Sequence, residues 1–168
     1  MADAPTPLPD FAWPEASTPD DEQVLADVRE HSTYIASAAE VPKKPSFAYT
    51  VGLYLNYGHP EMLLLGLPPE VATDVLDSIQ DLVAGGAVFA AGESSDDVLR
   101  KFPVRFSAVP DAERDARMPR ATWFYGAHTD GAFPCLQVLW PAGNGRFPGQ
   151  KGSPMWMRKR QPILQPAD

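Results

Sequence analysis

The chain has 168 residues, 44% of them hydrophobic, and a formal net charge of -8. That length buries one sizeable core and leaves little room for a second domain, while the acidic balance argues against a nucleic-acid or anionic-membrane binder, whose phosphate contacts need clustered cations. Cys135 is the only cysteine, which excludes an intramolecular disulfide framework and an all-cysteine metal site.

The N-terminal stretch carries acids and prolines where a signal peptide needs a cationic start and an apolar run, and no segment approaches membrane-spanning length. The expectation is an unexported, cytoplasmic protein that binds neither membrane nor nucleic acid. Residues 1–17 hold four prolines and no hydrophobic periodicity, the signature of a loosely ordered acidic arm, with Phe11 and Trp13 available to pin it to the body. Residues 18–168 read as a single α+β domain with a basic tail from about 150. Charge is segregated along the chain: residues 1–40 contain nine acids and one cation, Arg29, whereas five cations against Asp168 alone follow Pro141. Two solvated ends explain this, as does mutual attraction of the ends or an anionic partner for the tail.

Thr18 is an N-cap candidate, with Pro19 at the first helical position and Asp20, Asp21 and Glu22 complementing the helix dipole. Val24, Leu25 and Val28 form the apolar stripe of that helix. Residues 33–37 suggest a strand, and 41–45 a turn bracketed by Pro42 and Pro45. Ser46 to Leu55 is the clearest strand of the chain, with Phe47, Tyr49, Val51 and Leu53 on one face and Ala48, Thr50 and Gly52 on the other. The second face is small, which permits close approach of a ligand or of a tightly packed helix.

After a turn at 56–60, Glu61 to Gly66 reads as a buried strand. From Pro68 or Pro69 a long amphipathic helix is expected, with Val71, Val75, Ile79 and Leu82 at helical spacing and a stop at Gly85-Gly86. Ala87–Ala90 and Pro103–Val109 look like short strands around a helical turn at 94–101. Residues 110–118 suit a helix or a loop, the aromatic run Ala121–Gly126 an extended segment, and Cys135–Trp140 a strand ended by Pro141 and the Asn144-Gly145 turn. The order predicts an α+β fold: a mixed or antiparallel sheet, with a split barrel as one variant, carrying one long helix and one N-terminal helix.

The landmarks FAYTVGL (Phe47 to Leu53), HPEMLLLGL (His59 to Leu67), LQVLWP (Leu136 to Pro141), NGRFP (Asn144 to Pro148) and QPIL (Gln161 to Leu164) occur in an order that resembles the bacterial domain-of-unknown-function family 4262. The resemblance covers roughly residues 20 to 164. It implies a fold and no established activity. Where the family pattern places Asp after Trp-Pro this chain has Ala142, and where a Trp often follows Phe-Pro it has Gly149. A function resting on that Asp would be missing here.

His59 and Glu61 supply a general base with an orienting acid, or two metal ligands; structurally, the same pair bonds the backbone of its own turn. Cys135, His128 and Asp130 are the residue types of a nucleophilic site, although a thiol heading an apolar strand is more often buried and inert. Tyr49, Thr50, Gly52, Trp140 and Arg146 are the candidate ligand-binding residues, for a flat molecule such as a flavin with Thr50 and Arg146 meeting its phosphate. No glycine-rich phosphate loop accompanies them. The tail KGSPMWMRKR gathers Met155, Trp156, Met157 and cations, the types that anchor protein interfaces. The sequence therefore points to a protein-interaction or ligand-binding module, the alternative being a small flavin- or other ligand-dependent enzyme with a pocket beside the FAYTVGL strand and HPE turn.

Overall fold

The computed structural model describes residues 7–165, so the first six residues of the arm and the last three of the tail lie outside it. Thr18 opens α1 (Pro19–His31) as the sequence predicts, its side chain accepting the Asp21 N–H at 3.1 Å. Ser32 closes the helix in the left-handed conformation, donating its N–H to the Val28 carbonyl. β1 (Tyr34–Ala38) then turns at reciprocal Val41–Lys44 hydrogen bonds into β2 (Phe47–Val51).

The strand expected through Leu55 stops at Val51. Gly52 has φ 117°, and a Cβ there would lie 2.4 Å from the Ser32 carbonyl oxygen. The chain leaves the sheet at this close approach and winds into α2 (Leu53–Tyr57), which ends at Gly58. β3 (Glu61–Leu65) and α3 (Pro69–Ala84) follow as expected. The buried stripe of α3 is Ala72, Val75, Leu76, Ile79 and Val83, rotated from the predicted one so that Val71 remains 45% exposed. The small Ala72 seats that edge of the helix on the sheet.

Ala87–Ala90, expected as a strand, is irregular, and the Phe89 N–H goes to His59 instead of a ladder. A two-residue strand, β4 (Ser94–Ser95), replaces the expected helical turn and pairs with β5 (Val104–Ala108). α4 (Asp111–Arg117) leads through Met118 into α5 (Pro119–Thr129). The aromatic run expected to be extended is therefore helical. Pro119 suits the first helical turn, and burial of Ala121, Phe124 and Tyr125 outweighs their β preference. β6 (Cys135–Leu139) and a short α6 (Trp156–Arg160) complete the chain.

The six strands form one mixed sheet in the order β1-β2-β3-β6-β5-β4. Only the central β3–β6 pair is parallel, with Glu61 opposite Cys135 and Leu64 opposite Val138. The sheet is open, with β1 and the two-residue β4 as its edges, and does not close into a split barrel. Every residue of β3 and β6 is buried because helices cover both faces, which is why these strands read as continuous apolar runs. Tyr49, Val51, Leu63 and Leu65 face α1 and α5; Ala48, Met62, Leu64 and Val138 face α3. Residues 8–16 cross the α5 side, where Phe11 stacks on Phe124 at 5.1 Å and Leu8 donates to the Leu55 carbonyl at 2.9 Å.

Gly66 has φ 91°, and a Cβ there would meet the Arg160 carbonyl oxygen at 2.5 Å. Gly66→Ala should cost about 2 kcal/mol or more through strain and displacement of the tail, against about 1 kcal/mol for loss of the Thr18 cap in Thr18→Ala. Urea unfolding of both variants checks the ranking; a milder loss for Gly66→Ala would contradict the close approach.

Candidate functional site

The HPE turn feeds two separate networks. Glu61, first residue of β3, is fully buried. Its Oε1 accepts from the Thr50 hydroxyl at 2.9 Å and the Leu53 N–H at 3.0 Å; Oε2 accepts from the Gly52 N–H at 2.8 Å, the Tyr54 N–H at 3.4 Å and the Tyr125 hydroxyl at 2.6 Å. The carboxylate thus serves the first N–H groups of α2, which have no partners within their own helix. Thr50 Oγ1 also accepts the Met62 N–H, and Tyr125 Oη the Leu55 N–H. Burial pushes the Glu61 carboxyl above its ordinary pKa, opposed by these donors. Burial and the neighbouring carboxylate drive the Tyr125 hydroxyl well up.

His59 faces elsewhere. Its Nδ1 donates to the Pro60 carbonyl at 2.9 Å, and its Nε2 accepts the Phe89 N–H at 2.9 Å, an arrangement that needs the neutral ring. Burial lowers its pKa accordingly. His59 and Glu61 share no hydrogen bond; one holds the 87–90 segment, the other α2 and α5.

The structure does not gather Tyr49, Thr50, Gly52, Trp140 and Arg146 around one cavity. Thr50 and Gly52 belong to the Glu61 network, and α3 covers the small face of β2 at Ala48. Tyr49 is buried on the opposite face, its hydroxyl accepting the Arg120 N–H at 3.1 Å. The Trp140 indole donates to the Leu65 carbonyl at 2.7 Å, and Arg146 is exposed in the turn whose Ala142 packs into the α3-side core. Cys135 is buried with its thiol 3.4 Å from the Met118 sulfur, and burial raises its pKa well above the ordinary thiol value. His128 instead accepts the Ala12 N–H, and Asp130 is the exposed cap of α5. Among the described residues, no group of three or more His, Cys, Asp or Glu side chains is placed to hold a metal.

Two glutamines act where sequence reading assigned nothing. Gln161 donates to the Trp140 carbonyl at 2.9 Å and accepts its N–H at 2.8 Å; Gln137 donates to the Pro162 carbonyl and accepts the Leu164 N–H. Together they staple the QPIL segment to β6 and hold α6 at the carboxyl end of β3. Three adjoining cavities of about 220, 550 and 280 Å³ open there. Glu40, Val41, Lys43, Lys44, Pro45, Trp156, Lys159 and Arg160 line the first, four cations against one acid. Trp156 is 49% and Met155 96% exposed, and the four cations form no ion pair among the described residues. The Arg160 guanidinium lies over the Trp156 ring, 5.6 Å from its centroid. The tail was legible as an aromatic and basic segment; Lys43 and Lys44, adjacent in a proline-bracketed turn, were the overlooked signal.

The family described as a domain of unknown function, DUF4262, matches residues 27–154, and the chain belongs to it. The match is narrower than the resemblance traced to residue 164 and leaves α6 outside. No curated protein and no solved structure matches the chain.

Glu61→Gln would set an NH2 group against two or three buried donors. A loss of at least about 3 kcal/mol is expected, since each orphaned donor costs roughly 1–3 kcal/mol; a urea midpoint close to that of the natural protein would refute the hub role. His59 has a folded pKa below the unfolded 6.5. Its contribution is therefore complete above pH 6.5 and is lost as acid is added toward the folded pKa. Unfolding midpoints between about pH 5 and 7 should fall less steeply for His59→Gln.

Proposed function

We propose that this DUF4262 member is a binding module that recognises an acidic segment of a protein partner through the face formed by the Val41–Lys44 turn and α6. The observation that carries the reading is the exposure of Trp156 and Met155 beside Lys43, Lys44, Lys159 and Arg160 in a chain of net charge -8. A half-exposed Trp keeps apolar area to bury on docking, and Trp and Arg are the residues most often dominant in interface energetics. Unpaired cations around it attract an anionic segment and set its orientation. The same cations would repel the basic partners that the acidic remainder of the molecule attracts.

The interior supports this reading from the other side. The side-chain polar atoms of His59, Glu61, Gln137 and Gln161 are engaged within the fold, and the aromatic candidates Tyr49 and Trp140 are buried. The motif that invited an enzymatic interpretation organises backbone. An Asp lost at Ala142 would have stood at a position that packs inward beneath α3, away from the exposed face.

The test is selection from a displayed library of acidic peptides, followed by affinity measurement on the natural chain and on Trp156→Ala and Lys159→Glu/Arg160→Glu. Selected peptides should bind more weakly as salt rises, and each variant should lose at least tenfold in affinity, about 1.4 kcal/mol, with its melting temperature unchanged. Failure to select a binder, or binders indifferent to the charge reversal, would reject the proposal.

A further inference from the structure

Beside the docking face lies the cavity of about 550 Å³, bounded by the β1–β2 turn, the end of β3 and the α4–α5 junction. Its walls are apolar at Phe47, Leu65, Ala116 and Pro119, with Lys43 and Lys44 on one side and the Glu113–Arg117 pair on the other. The volume falls within the roughly 300–1,000 Å³ of small-molecule sites. Phe47 is half-buried and stacks on Tyr49, 6.0 Å between centroids and 17° between planes, so one ring is anchored in the core and the next is presented at the cavity.

The backbone that carries the two exposed lysines is fixed. Val41 and Lys44 exchange hydrogen bonds of 3.1 and 3.0 Å across a four-residue turn with Pro42 second and Lys43 third. Lys43 has φ 70°, the left-handed conformation that such a turn normally assigns to Gly or Asn. A lysine held there keeps a charge at a place where the backbone prefers no side chain. The opposite side is an internally compensated pair, Arg117 Nε donating to Glu113 Oε2 at 2.8 Å, so it adds no net charge to the cavity.

We infer that this cavity binds a small amphipathic monoanion, a carboxylate carried on a compact apolar body. The anion sits at Lys43 and Lys44, and the body lies on Phe47, Leu65 and Pro119. This site shares Lys43 and Lys44 with the peptide-docking face but has its own apolar wall, away from Trp156.

Isothermal titration with 2-naphthoate as the probe tests it, with 2-naphthamide as the neutral counterpart. Naphthoate should bind saturably with one site per chain, and the amide at least tenfold more weakly. Lys43→Gln/Lys44→Gln should weaken naphthoate tenfold or more. Ala116→Phe, on an exposed helical position and so compatible with folding, should abolish binding by filling the space. Trp156→Ala should leave naphthoate affinity unchanged, which separates this outcome from that of the docking face. Absence of saturable binding, equal affinity for the amide, or full binding to folded Ala116→Phe would overturn the inference.

Discussion

A single buried carboxylate organises this molecule. Glu61 stands at the head of the central strand with no cation beside it, and what keeps it there is a shell of donors from β2, α2 and α5. An ionised group out of water is costly unless hydrogen bonds replace its hydration. The cost makes the arrangement specific: α2 must begin at Gly52, α5 must deliver Tyr125, and the strand register must set Glu61 opposite Cys135. A shift of one residue in β3 would turn the carboxylate toward the α3 core.

The consequences run along β3. Its amino end carries the Glu61 network, residues 8–16 of the arm and a cavity of about 200 Å³ beside His59; the larger cavities lie at its carboxyl end. There Gly66 lets the Arg160 backbone approach, Trp140 reaches back to Leu65, and the side chains of Gln137 and Gln161 dock the tail. Because β3 and β6 run parallel, both central strands finish at this end, and openings beyond the carboxyl ends of parallel strands are where α/β sheets commonly bind ligands. The described part of the arm packs beside Leu55, away from the tail at Gly66, whereas Glu40 lines the cavity shared with Lys159 and Arg160.

Polarity is distributed in keeping with this division. The amino end engages the Glu61 donors and acceptors internally; the carboxyl end leaves its cations, Trp156 and Met155 to solvent. α6 itself, only five residues long, owes its placement to side-chain bonds with β6 and not to its own helical stability.

Local chemistry was readable wherever local forces decide. The Thr18 cap with Pro19, the five-residue apolar run of β3, the periodicity of α3 and the single mixed α+β sheet all followed from side-chain type and spacing, and the ordered motifs identified the family. What the tertiary structure alone decided depends on groups distant in sequence. The extended pattern of Ser46–Leu55 breaks at Gly52 because the Ser32 carbonyl and the Glu61 carboxylate meet the backbone there. The aromatic run of α5 becomes helical because burying Phe124 and Tyr125 and reaching Glu61 outweigh an intrinsic strand preference. His59 and Glu61, neighbours in sequence, part into different networks, while Lys43 and Lys159, 116 positions apart, come to line one cavity. Spacing along a chain reports which chemistry is available; only packing determines which groups are used up in the fold and which remain free to bind.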